Sequence, residues 1–426
     1  MLYGNSLNVV TPRDLWKQNG FINRTDSEFT FTDATRVFSI QPVAGKNYFE
    51  YLIDGVSYKC AGATLTIADV DGLHVIYFDG DTLTEAVNPT MNGFHNIIMN
   101  GALVSMIMWD EDNSTAIYIG EERHGATMAA MTHSYLHFKN GLVYDQGLGL
   151  NNMSVDENGS QDAHAQFGVD AGVVYDEDLR FGIDAVSSTT GLPIYYMLGN
   201  KKWRKKVVNG FSVYNADSPT GRLYYNENNS GNWQLTEVPE GDFVLYHVFA
   251  TTDRNHPMVV IMGQETYSSK RKARAGAKVE VESLVLQRVL FPEARPIATV
   301  IFQTDKDYTN SVKARIVSTD TGDNYIDWRN EVISRVAVTT TDHNALSGQQ
   351  GGDLGEYFHL TESQHNNLTK GNPTFNTLTL TDLLNLQGVT SDPSSPAESF
   401  IWFRSDLGEL RIRIGTTTYK FNLTSV

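Results

Sequence analysis

Two histidines four residues apart are the plainest chemical signal in this 426-residue chain. His133 and His137 have that spacing, and His124 precedes them. On a helix, side chains at i and i+4 point the same way, so two imidazoles could share a metal ion. A His-Glu-x-x-His order, which would add a general base, is absent because Ser134, Tyr135 and Leu136 lie between. Histidines in this pattern more often pack in a core or between chains, so neither a metal site nor any other cofactor is expected. Acidic loops recur at Asp69 and Asp71, Asp79 and Asp81, Asp110 to Asp112, and Asp176 to Asp178. Oxygen-rich loops suit calcium, but none has the complete twelve-residue pattern with its terminal Glu. Asp is also an ordinary residue of hydrated turns, which is the expectation here. Paired acids could cleave glycans, yet nothing singles out a pair. No serine nucleophile elbow or phosphate loop is present, and Gly147-Leu148-Gly149 lacks the context of a dinucleotide site. No catalytic residue is assigned.

The elements that must hold these residues are mostly strands. The histidines fall on a helix expected from about 127 to 140, where Met128, Met131, Tyr135 and Phe138 recur at helical spacing and Gly141 can end it. A second helix, from Val281 to about Arg288, competes with a strand reading. Asn-Gly or Asp-Gly dipeptides at 19, 54, 71, 79, 92, 100, 140, 158 and 209 are hairpin-turn signals. Phe49, Tyr51 and Ile53 alternate before one of them, and Leu73, Val75 and Tyr77 before another. Residues 298–303 read as a buried strand. Forty aromatic rings of Phe and Tyr type (20 each) also favour pleated surfaces.

Composition excludes several classes. With 41% hydrophobic and 19% charged residues, the chain folds. A net charge of -17 repels phosphate backbones, so nucleic acid is not an expected partner. Lys201, Lys202, Arg204, Lys205 and Lys206, with Lys270, Arg271, Lys272 and Arg274, run against that trend. They read as solvated faces or partners for acids. One cysteine, Cys60, excludes an internal disulfide and suits a reducing cytosol. Residues 1–20 lack the apolar core of a signal peptide, and no run approaches the roughly 20 apolar residues that cross a bilayer, so no membrane insertion is expected.

The fold class expected is mainly β: an antiparallel sandwich-like body with few short helices, a Gly-rich intertwined trimerisation motif and a small C-terminal β tip. Its segments are 1–140 and 141–335, two β-rich lobes; 336–373, Gly-rich then helical; and 374–426, the tip. In the tip, Ile401 and Phe403, a turn at 405–408, then Leu410, Ile412 and Ile414 form a hairpin, with Tyr419, Phe421 and Leu423 as a third strand. A tail so small, with no cysteine, needs partners to be stable.

Residues 342–361 read DHNALSGQQGGDLGEYFHLT. This segment resembles a motif of bacteriophage tail-fibre and appendage proteins, carried by Asp342, His343, Asn344, Leu346, Gly348, Gln350, Gly351, Gly352, Gly355, Glu356, Tyr357, His359, Leu360 and Thr361. Gln349 departs from the apolar residue usual there. The resemblance implies a homotrimer with this segment close to the three-fold axis. The glycines permit close approach of chains, and the polar groups can pair across them. Residues 400–419 resemble terminal modules of virion fibres. Residues 73–79, 117–137 and 292–304 resemble recurring blocks of uncharacterised phage structural proteins, to which no chemistry attaches.

The implied function is a non-enzymatic virion subunit, a fibre or adsorption appendage made in the bacterial host cytoplasm. Its expected partners are two further copies, other virion proteins of the tail, baseplate or capsid, and a glycan or protein of the host surface. The alternatives are a purely architectural head-fibre, collar or baseplate component, and a glycan-degrading tailspike. A tailspike of the parallel β-helix kind would show a repeat of about 20–30 residues, and none is visible.

Overall fold

A computed structural model describes residues 18–200, 202–217, 219–284, 293–331, 333, 388–397 and 399–422. The chain is mainly β, with antiparallel sheets and, among the described residues, three α-helices. It forms two compact units, residues 1–339 and 340–426.

Two sheets form the centre of the first unit. One has four strands in the order Thr115–Glu121, Ala102–Asp110, Gly72–Asp79, Thr82–Val87. The other runs Lys202–Lys206, Ile194–Leu198, Met258–Tyr267, Phe243–Thr251, Ala294–Thr304, Ala314–Val317, with Ile326–Asp327 also pairing to Ala294–Thr304. Only the pairing of Ile194–Leu198 with Met258–Tyr267 is parallel among these.

The two sheets share a core. Leu73, Val75, Met106 and Ile117 of the first pack with Tyr195, Leu245, Phe249 and Ile261 of the second. Each sheet is also covered on its outer face. Ile76, Phe78, Val104 and Trp109 meet the aromatic residues Phe21, Phe38, Phe49 and Tyr51 of the preceding strands. Tyr246, Val248, Val260 and Phe302 meet Leu148, Phe167, Phe211 and Leu223. A strand covered on both faces needs apolar residues at every position, not at alternate ones. All nine residues of Ala102–Asp110 are accordingly buried. The position of the expected boundary at 141 therefore lies within a body whose shared core draws on residues from both sides of it.

Several local expectations are met and others corrected. Phe49, Tyr51 and Ile53 are buried and alternate as read, before a turn in which Asp54 and Gly55 have φ of 52° and 76°. Asn92-Gly93 and Asn100-Gly101 do not turn hairpins; they lie at the start and end of a helix, Met91–Asn100, capped by the Thr90 hydroxyl. Of the segment 281–288, weighed as helix or strand, residues 281–283 end a helix, Lys270–Ser283, and residues 285–288 lie outside the described residues. Ser269 begins this helix, its hydroxyl accepting from the Lys272 amide at 3.3 Å. Its inner face is Ala273, Ala277, Glu280 and Val281. Alanines among basic residues give little apolar periodicity, so the helix is faint in sequence. The first basic run supplies ion pairs: Arg204, buried, lies 3.1 Å from Asp71 and 3.2 Å from Asp110, and Lys202 lies 2.7 Å from Asp71.

In the second unit the described strands are Gly388–Val389, Ile401–Arg404, Glu409–Ile414 and Thr417–Asn422, in that order. The hairpin and third strand match the sequence reading. Cross-strand registers align Ile401, Ile412 and Tyr419, and likewise Phe403, Leu410 and Phe421. One face is therefore mostly apolar, with Thr417 opposite Ile414 at its end. On the other, Trp402 is buried and donates to Asp392 at 3.0 Å, and Arg404 and Arg411 pair with the same carboxylate.

Candidate metal centre

The expected histidine helix exists as Ala130–Lys139, with both histidines on its buried face. Met131 and Tyr135 are 60% and 62% exposed, while Ala130, His133, Ser134 and His137 are buried. The apolar spacing that marks the helix does not mark its inner face, which is filled largely by ionisable groups. The helix Met91–Asn100 lies beside it, and the ring of His95 pairs with the Ser134 hydroxyl at 2.7 Å.

Three other segments bring acids to His133 and His137. The first continues from the strand Thr115–Glu121 into Glu122, Arg123 and His124. It is anchored where the Phe21 amide donates to the His124 carbonyl at 2.8 Å. Arg123 turns away from the cluster to a buried pair with Glu121. The second is the hairpin between Gly172–Asp176 and Leu179–Ile183, whose two-residue loop is Glu177-Asp178. Glu177 has φ of 45°, the left-handed conformation that a two-residue hairpin loop takes, at a cost of about 1 kcal/mol for a non-glycine residue. The third is Glu293, immediately before the strand Ala294–Thr304.

Glu122, His137, Asp176 and Glu293 have no exposed surface, and His124 is 2% exposed. The backbone of Glu177 reaches the surface at the turn, but its side chain is 1% exposed. Both carboxylate oxygens of Glu122, Asp176, Glu177 and Glu293 lack a hydrogen-bond partner, as do Nε2 of His124 and His133 and both ring nitrogens of His137. Interiors rarely tolerate such orphans, each costing about 1–3 kcal/mol or more when charged.

The spacing says what would satisfy them. His124 Nε2 lies 3.6 Å from Glu122, 3.6 Å from Asp176 and 3.4 Å from Glu177, and His137 Nδ1 lies 3.2 Å from Glu293 and 3.7 Å from Glu177. These are long for charge-assisted hydrogen bonds. They suit donors around one cation, since bonds of about 2.0–2.2 Å place neighbouring ligand atoms roughly 3–3.6 Å apart. The other nitrogen of His124, Nδ1, is held by Asp178 at 2.8 Å, the outer carboxylate that orients a metal-binding imidazole.

Protonation follows the same logic. Burial pushes Glu122 up to about 8 and Glu177 up to about 10, and raises Glu293 well above the carboxylate range. Burial also lowers His133 well below its usual value and takes His137 to about 4. His124 goes the other way: burial opposes its charge, but Asp178, Glu122 and the other acids outweigh that and raise it. The neutral imidazoles of His133 and His137, facing acids that ionise only with difficulty, form an electrostatic arrangement that a cation would relieve.

Comparison with known protein families, curated proteins and solved structures finds no match. The chemistry therefore rests on this geometry. A cavity of about 10 Å³ adjoins the cluster, lined by Asn19, Gly20, Ile98, Leu103, Glu122, His124 and His133 among others. That holds about one water-sized body and no sugar. A larger cleft, about 570 Å³, is lined instead by Arg274, Lys278 and residues 323–328 with Glu331. Of its three acids, Asp327 is bound by Arg329 at 2.6 Å and Asp323 accepts from the Thr321 hydroxyl at 2.8 Å.

The motif residues Asp342 to Thr361 lie outside the described residues. Of the acidic loops, Asp176 to Asp178 joins the cluster, whereas Asp71, Asp110 and Asp112 pair with Arg204. Sequence reading assigned no role to Glu122 or Glu293. They fall in the segments 117–137 and 292–304, which the fold brings to one place.

Proposed function

We propose that the chain is a metal-binding structural subunit of a bacteriophage virion, a homotrimeric fibre or adsorption appendage with no catalytic centre. The observation that carries the non-catalytic part is enclosure. The ligand cluster is buried beside a cavity too small for a substrate, so an ion held there ties four chain segments together and meets nothing from outside. Catalytic metals keep an open coordination position for substrate, whereas structural ones are closed.

Two features support the virion reading. The segment 342–361 resembles phage fibre motifs, and two blocks of phage-like sequence supply five of the seven buried ligands. The terminal sheet supports self-association: Ile401, Ile414, Tyr419 and Phe421 on its apolar face are exposed, with no cover among the described residues. Three copies meeting on that face would bury what one chain cannot. Partners are then other virion proteins and, at the free end, a host-surface glycan or protein bound weakly but many times over.

Light scattering on the full-length chain tests this. A mass of three chains is expected, and labelled antibody should decorate an appendage on virions in micrographs. A monomer, or absence from the particle, overturns the reading.

A further inference from the structure

The cluster contains more donors than one ion needs, and they sort into two sets. His124, His133 and Glu177 offer ligand atoms within 4.8 Å of one another, and so do Glu122, His137 and Glu293. The two triads share no residue. Asp176 belongs to two further groups, one with Glu122 and His124 and the other with His137 and Glu177. Each of those groups takes a member from both triads. Asp176 thus lies between them, with both oxygens buried and unpartnered.

We propose that this centre holds two divalent first-row transition ions, one per triad, bridged by the carboxylate of Asp176. The inference rests on the metal-binding reading above and deepens it. Charge balance supports two ions over one. With all four buried carboxylates metal-bound and ionised, two divalent cations balance their four negative charges, and the three imidazoles bind as neutral ligands. A single ion leaves two carboxyl groups uncoordinated and without hydrogen-bond partners in a dry interior, which is costly whether they are ionised or protonated. Donor type narrows the element. Each triad joins imidazole to carboxylate, so all-oxygen calcium or magnesium and thiolate-seeking copper(I) fit poorly, and manganese, iron or zinc fit well.

The full-length chain is incubated with manganese(II), iron(II) or zinc(II), dialysed against metal-free buffer and analysed for bound metal. Two ions per chain are expected, and the manganese form should show the multiline spectrum of an exchange-coupled pair by electron paramagnetic resonance. One ion per chain, or only an uncoupled six-line spectrum, overturns the pairing and leaves the metal-binding reading standing. No retained ion of any of the three overturns both. The variants H133N and E293Q each remove a donor from one triad, and each should lower the content from two ions to about one. Retention of two by both would sink the assignment of triads. Should either variant fail to fold, stoichiometry and spectrum of the unaltered chain decide.

Discussion

Replacing Arg123 with methionine tests how the ligand-bearing segment is held. The guanidinium is 5% exposed and grips Glu121 with two bonds, at 2.7 Å from Nε and 2.5 Å from Nη2. It also donates to the Ser27 carbonyl at 2.6 Å, the Ser27 hydroxyl at 2.8 Å and the Arg24 carbonyl at 3.1 Å. Its plane lies over Phe29, 5.0 Å from the ring centre. Methionine can replace the stem packing but none of these bonds. Glu121, whose side chain is 6% exposed, then remains as a buried charge without its partner. Breaking one side of such a pair costs about 3–5 kcal/mol. Urea unfolding followed by tryptophan fluorescence is the assay, with E121Q and the double variant completing a cycle. Because glutamine removes the stranded charge, the double variant should recover about 2 kcal/mol relative to R123M, a coupling typical of contacting groups. A loss below about 1 kcal/mol for R123M, or strictly additive effects, would refute the claim that this ion pair anchors the segment.

Asp253, 4% exposed, has its carboxyl pushed up from 3.8 to about 6 by burial. The folded state therefore keeps its proton longer than the unfolded one, so stability falls as pH rises from about 4 to about 6, by up to about 3 kcal/mol. D253N should lose that part of the slope, and unfolding free energies at pH 4 and pH 7 measure it; an unchanged slope counts against the burial argument. On the histidine helix, M131S and Y135S should each shift stability by less than about 0.5 kcal/mol, whereas A130L should cost about 1–3 kcal/mol by overpacking. The reverse order in thermal melts would count against Met131 and Tyr135 facing outward. Exhaustive chelation should lower the urea midpoint, because an ion at 1,000 times its dissociation constant contributes about 4 kcal/mol. Equal midpoints with and without chelator would contradict a metal-stabilised body.

Local structure was legible where one residue decides a local conformation. Asp54-Gly55 turned the hairpin that its positive φ angles permit, and the alternation of Phe49, Tyr51 and Ile53 named their buried face. Gly141, with φ of 52°, ends the histidine helix as expected, its amide donating back to the Leu136 carbonyl at 3.1 Å. The same dipeptide signal failed at Asn92-Gly93 and Asn100-Gly101, where tertiary packing of Phe94, Ile97 and Ile98 favours a helix.

The sequence by itself determined a mainly β chain, its terminal hairpin, and a helix bearing two histidines on one face. These follow from short-range rules of turn geometry and side-chain period, which operate within a few residues. Only the tertiary structure decided which way that helix faces and what its histidines meet. Glu122, His124, Asp176, Glu177 and Glu293 span more than 170 positions, and no local period connects them. They converge because strands covered on both faces stack the early and late parts of the chain in one body. Burial then turns acids and imidazoles scattered along the chain into a single site.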